Sequence, residues 1–102
     1  MPLQFVPSRD KIRDMFLKCF DSLGYERPSS DDSTLAAAGI TALDLSELGL
    51  MLHGRLVRLT GQESLSLALF GTEDEQVICD TKPFSAVVDA VVATLATDAA
   101  QQ

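Results

Sequence analysis

The stretch "LAAAGITALDLSEL", residues 35–48, decides the fold of this chain. Small residues lead through Gly39 to Thr41, and leucines at helical spacing follow. Thr41 and Asp44 are spaced as in a capping box, where two side chains bond each other's backbone N–H groups; an aspartate replaces the commoner glutamate or glutamine. We therefore predict a helix that begins near Thr41.

The leucine pattern extends this helix, the second of four predicted along the chain, as far as Gly61, where we expect it to end. One apolar face holds Leu45, Leu48, Leu52, Leu56 and Leu59, and we expect Leu43, Leu50 and Met51 to widen it. Gly49 and Gly54 lie inside the helix and weaken it by about 1 kcal/mol each relative to alanine, unless close packing offsets the loss.

Three further helices are predicted from caps and apolar spacing. Ser8 caps a first helix that ends at Gly24, Thr72 caps a short third helix, and a fourth begins near Pro83 and frays after residue 95. The first connection is a long loop anchored midway by Leu35. Residues 62–70 alternate like a strand but have no second strand pattern to pair with, so we expect an apolar loop or a short helical turn. The prediction is one all-α domain, a small four-helix bundle over residues 1–102 with a core at about 8–97.

Composition and charge limit the possible partners. The 102 residues carry a net charge of −7, which disfavours nucleic acid. The acidic runs are either solvated surface or a docking surface for basic proteins. No segment has the length for a membrane span and the N-terminus lacks a secretory leader, so we expect a cytoplasmic protein. Cys19 and Cys79 lie in apolar patterns and are expected to be buried free thiols rather than a disulfide.

Catalytic or metal-binding groups are difficult to assemble from this sequence. The single histidine, His53, lies inside the second helix, so neither a nucleophile–histidine pair nor a multi-histidine metal site can be proposed. We predict a protein that is not an enzyme and binds no metal. The start of the second helix is the exception, because free N–H groups and the helix dipole favour a phosphate there.

In residues 35–48 the sequence resembles the acyl carrier proteins and peptidyl carrier domains. Their helix-entry motif is a leucine, a short spacer, a glycine, two variable residues of which the second is commonly aspartate, and then Ser-Leu, with a downstream Glu-Leu. The matching residues here are Leu35, Gly39, Leu43, Asp44, Glu47 and Leu48. The resemblance implies the carrier type of four-helix bundle, with a long first loop and a short third helix. It also implies a monomer that performs no chemistry itself.

Family members carry phosphopantetheine on the motif serine and hold acyl or aminoacyl groups on its thiol as thioesters. The implied partners are a phosphopantetheinyl transferase, a ketosynthase, and an acyltransferase or an adenylating enzyme. The mixed charges of His53, Arg55 and Arg58 on the second helix resemble carriers of polyketide or nonribosomal peptide assembly more than the carrier of bulk fatty acid synthesis. By the same resemblance, we expect partners to contact Thr41, Leu43, Asp44, Glu47, Met51 and Arg55.

The chain departs from the motif at two positions. Thr41 replaces the aspartate and keeps its capping ability, whereas Ala42 stands where the serine is expected. Alanine has no hydroxyl to attack the pyrophosphate of coenzyme A, so we expect no phosphopantetheine on this chain. Neither Thr41 nor Ser46 is a convincing replacement.

Three origins of Ala42 remain open. The chain is a Ser-to-Ala variant of a working carrier, a natural carrier-like interaction module without the arm, or an unrelated bundle in which alanine suits a first helical turn. We favour the variant, because the motif residues around Ala42 are kept.

Overall fold

The computed structural model describes residues 6–100, and within this range the chain is helical without strands. The α-helices are α1 (Arg9–Leu23), α2 (Ala42–Thr60), α3 (Glu75–Thr81) and α4 (Phe84–Ala100), and a short 3₁₀ helix spans Ala36–Ala38. The predicted all-α architecture of three long helices and one short one is confirmed.

Local capping sets the ends of the first two helices. The Ser8 side chain accepts a hydrogen bond from the backbone N–H of Lys11, and α1 ends at Gly24, whose φ of 77° is left-handed. α2 begins directly after Thr41 and ends at Gly61. These predicted boundaries are confirmed, because the caps satisfy N–H and C=O groups that the helices leave free.

The predicted apolar face of α2 is too wide. Its buried leucines are Leu45, Leu48, Leu52 and Leu56. Leu43 and Leu50 are 70% and 63% exposed, because each lies two residues, about 200° of helical rotation, from a buried leucine. Leu59, in the last turn, is also exposed, and Met51 is half-buried against the core.

Residues 61–74 form an irregular connection, as predicted for the alternating stretch. Leu65 and Leu69 are buried and Leu67 between them is exposed, so the alternation reflects anchoring of a loop. The predicted cap of α3 is wrong. Asp74 rather than Thr72 takes that position, and its carboxylate accepts from the backbone N–H of Gln76 at 2.9 Å.

The start of α4 is tied to the first loop. The backbone N–H of Phe84 donates to the Ser33 carbonyl at 2.8 Å, and that of Ser85 donates to the Asp31 carbonyl at 2.9 Å. The helix follows Pro83, as predicted, and its helical backbone continues to Ala100, five residues beyond the predicted onset of fraying, while Gln101 and Gln102 lie outside the described residues.

A single hydrophobic core joins the helices. α1 packs against α2 and α4, and α2 packs against α3. Cys19 and Cys79 are buried free thiols, as predicted, and burial raises the pKa of each. Among the helices of the described residues, none combines the length and the apolar character needed to cross a bilayer.

Candidate functional site at the entrance of α2

The chain reaches α2 between two buried anchors. Leu35 precedes the 3₁₀ helix and Ile40 follows it; they are 0% and 3% exposed. Between them Gly39 has a φ of 84°, a left-handed conformation that glycine adopts without strain. The backbone N–H of Ile40 donates to the Leu35 carbonyl at 3.0 Å. This closed turn fixes where Thr41 and Ala42 emerge.

The first turn of α2 is held by a complete capping box. The Thr41 hydroxyl accepts from the backbone N–H of Asp44 at 3.2 Å, and the Asp44 carboxylate accepts from that of Thr41 at 3.1 Å. The bond from the Thr41 N–H is the main reason that the pKa of Asp44 lies below its ordinary value. The predicted pairing is therefore confirmed, and it holds Ala42 as the first residue of the helix.

Ala42 places a half-buried methyl group at this helix start. The neighbouring hydroxyls have other partners: Thr41 caps the helix, and the half-buried Ser46 donates to both carboxylate oxygens of Glu75, at 2.8 Å and 2.7 Å. The residues at the site therefore do not fit a phosphopantetheine phosphodiester at position 42, because the carbon that would bear the oxygen bears only hydrogen.

The residues expected to contact partners differ in their surroundings. Leu43 and Glu47 face solvent. Asp44 is engaged in the capping box, and Met51 packs against the core. Arg55 donates from its guanidinium to the Ser22 hydroxyl on α1 at 2.9 Å. The helix thus brings Leu43 and Glu47 together on its exposed side.

Tyr25 is a contact of this site that the sequence analysis missed. It packs partly against the core, and its hydroxyl donates to the Glu47 carboxylate at 2.6 Å, which is the largest cause of the raised pKa of Tyr25. Tyr25 and Glu47 are 22 positions apart, so only the folded loop reveals the pair. The bond fixes a carboxylate on the exposed side of α2.

A cavity of about 380 Å³ lies beside α2, between this helix, the second connection and α3. Its wall on α2 is formed by Leu45, Ser46, Gly49 and Leu50. Ser46 and Gly49 follow Ala42 by four and seven residues, so they lie below it on the same side of the helix. The cavity was also missed, although a glycine inside a helix indicates close approach of a neighbour: a Cβ at Gly49 would lie 3.0 Å from Cε2 of Phe70.

Among the residues that the structure describes, no group of histidine, cysteine and acidic side chains is placed to hold a metal ion. No protein-family model, curated protein or solved structure compared with the chain gives a significant match.

Proposed function

We propose that this chain is a carrier-type domain of acyl or peptidyl assembly, with Ala42 at the position where a carrier bears its arm. The observation that carries the proposal is the entrance of α2. There a capped helix start presents residue 42 beside the exposed Leu43 and above an apolar cavity. In a carrier these three features would serve as attachment point, docking contact and shelter for the cargo.

The chain as it stands has the scaffold of such a carrier without its nucleophile. Loading a carrier requires the serine oxygen to attack the pyrophosphate of coenzyme A, with loss of the hydroxyl proton and release of the nucleotide. Ala42 offers no oxygen for this step. On this proposal, the unaltered chain docks carrier partners but accepts no arm.

The test is to restore the hydroxyl. We expect Ala42→Ser, incubated with coenzyme A and a promiscuous phosphopantetheinyl transferase, to gain the mass of one phosphopantetheine in intact-protein mass spectrometry, and the unaltered chain to gain none. Serine is accepted in a first helical turn, so circular dichroism should show the same helix content.

Two variants control for misassignment of the attachment residue. Thr41→Asn removes a hydroxyl but keeps capping ability, and Ser46→Ala removes the hydroxyl that bonds Glu75. In the Ala42→Ser background both should still be modified. A folded Ala42→Ser protein that several transferases leave unmodified would overturn the carrier proposal, and modification of the unaltered chain would move the attachment to Thr41 or Ser46.

The exposed side of α2 favours a second candidate, a helical interaction module that binds partners without an arm. Leu43 and Leu50 are 70% and 63% exposed and lie seven residues apart on one side of the helix, with Glu47 between them. On either proposal, titration of the labelled chain with a transferase or a ketosynthase should shift the amide signals of Leu43 and Glu47. Shifts confined to α1 would contradict this docking face, and shifts on α2 without modification of Ala42→Ser would favour the module.

A further inference from the structure

The exposed side of α2 carries a line of four positions that are leucine in one half of the helix and glycine in the other. Leu43 and Leu50 are largely exposed to solvent. Gly54 and Gly61 follow them, and a Cβ built on either glycine meets nothing within 4 Å. With 3.6 residues per turn, all four positions lie within about 20° of one line along the helix. Two large apolar side chains are therefore followed by two places with room for a side chain.

The spacing along this line is symmetric. Leu43 and Leu50 are seven residues apart, Gly54 and Gly61 are also seven apart, and four residues separate Leu50 from Gly54. When a second α2 lies antiparallel with residue 52 of each copy at the centre, Leu50 of one copy faces Gly54 of the other, and Leu43 faces Gly61. A leucine packed against a glycine fills the open space and lets the helix axes approach to about 8 Å.

The charges beside the line fit the same arrangement. Glu47 and Arg58 are both exposed and lie on the same flank of the line, at about 40° and about 60° from it. In the antiparallel pair, Glu47 of one copy comes within one residue of Arg58 of the other, and the two-fold axis repeats this contact. Tyr25 donates to one Glu47 oxygen, so the other can accept from the arginine. A parallel pair would instead place like charges opposite each other.

We propose that α2 is a two-fold symmetric, antiparallel interface between two copies of this chain. Leucine meets glycine and glutamate meets arginine when this helix face is paired with itself, which is the match that a two-fold interface requires. Only two large apolar side chains of each copy enter the contact, so the dimer is a transient one that forms at high protein concentration.

The inference goes beyond the proposed function and departs from the monomer that the carrier resemblance implies. One consequence alone rests on the proposed function. The dimer covers Leu43, which lies beside residue 42, so a second copy and a carrier partner exclude each other from this face. Self-association would then lower the concentration of chain that partners can reach.

Sedimentation equilibrium of the unaltered chain over a range of concentrations tests the dimer itself. We expect the average mass to rise from that of one chain toward that of two as the concentration increases. In the ¹⁵N-labelled protein, the amide signals of Leu50 and Gly54 should move over the same range. A single chain at every concentration up to the millimolar range, or shifts confined to residues outside α2, would overturn the inference.

Charge reversal tests the pairing of Glu47 with Arg58. Both residues are exposed, so their replacement leaves the core intact. We expect Glu47→Arg and Arg58→Glu each to lower the association constant by about tenfold, because each turns two attractions into two repulsions. The double variant should recover most of the association. A double variant that associates no more tightly than either single variant would show that these residues do not face each other, and the antiparallel interface would be wrong.

Gly54→Glu tests the contact between leucine and glycine. In the single chain the new side chain meets open space, and glutamate is favoured over glycine in a helix, so circular dichroism should show a folded protein. In the dimer the unpaired carboxylate lies against Leu50 of the other copy, so we expect association to be lost.

Ala93→Glu is the matched control, because Ala93 is exposed on α4, away from this face, and the change adds the same charge. It should leave association unchanged. Association that survives Gly54→Glu, or that both variants weaken equally, would contradict the proposed interface. None of these results depends on modification of Ala42→Ser, so failure of this inference is distinguishable from failure of the carrier proposal.

Discussion

The two long connections of the bundle, residues 24–41 and residues 61–74, are held in different ways. The first adds several directional bonds to its buried anchors Leu35 and Ile40: Arg13 pairs with Asp31, Tyr25 donates to Glu47, and the start of α4 donates to two of the loop's carbonyls. The second is anchored mainly by buried leucines, with two bonds to its carbonyls, from His53 to Leu65 and from Thr94 to Leu69, and one exposed ion pair from Lys82 to Glu73. The second connection also lines the cavity beside α2.

This difference predicts unequal rigidity within one small domain. Hydrogen bonds tolerate little displacement, so the first connection presents the entrance of α2 in one geometry. Apolar contacts are less directional, so the second connection, which borders the cavity beside α2 and α3, is free to vary more in position. We therefore expect the first connection to be the more tightly fixed of the two.

The largest expected effect concerns an unpaired polar side chain buried in the second connection. Gln62 is fully buried, and the Nε2 and Oε1 atoms of its side chain have no hydrogen-bond partner among the described residues. Burying an unpaired amide costs about 1–3 kcal/mol. We expect Gln62→Met, which is similar in volume, to raise the free energy of unfolding by about 2 kcal/mol, as measured by urea denaturation.

Gln76→Met is the control for this change. Gln76 is exposed on α3, where its amide donates to Asp80 at 3.0 Å, and its replacement should change stability by less than about 0.5 kcal/mol. A loss of stability in Gln62→Met would show that the buried amide is satisfied in solution, and the contrast between the two connections would weaken.

A smaller effect compares the two glycines inside α2. A methyl group at Gly54 would meet nothing within 4 Å, whereas at Gly49 it would meet the Phe70 ring at 3.0 Å. Alanine is favoured over glycine in a helix by about 1 kcal/mol. We therefore expect Gly54→Ala to stabilise by about that amount and Gly49→Ala to gain less, with thermal melting as the measurement. Equal gains in stability would contradict this expectation and would mean that the Phe70 ring moves away from the added methyl group without loss of stability.

The features predicted from sequence are those with local causes. Ser8, Thr41 and Gly61 act on backbone groups within a few residues, so helix ends could be found without knowledge of the fold. The exposure of Leu43 depends on helical rotation, which a count of leucines does not capture. The Tyr25–Glu47 bond and the cavity walls join residues far apart in the chain, and no pattern within one segment indicates them.

The smallest expected effect is a pH dependence at the end of the first connection. The pKa of Asp44 is below its ordinary 3.8, mainly because its carboxylate accepts from the backbone N–H of Thr41. The folded state therefore binds this proton less readily than the unfolded state. The resulting stabilisation is present above about pH 3.8 and is lost as the pH falls through the lower pKa of the folded state.

We therefore expect Asp44→Asn to lose less stability than the unaltered chain between pH 7 and pH 3, as measured by urea denaturation at the two pH values. Thr41→Val keeps the N–H that lowers the pKa, so it should be weaker at both pH values with most of the pH dependence retained. If Asp44→Asn and the unaltered chain lose equal stability on acidification, the capping box is looser in solution than its hydrogen bonds indicate, and the first connection is not the more tightly fixed of the two.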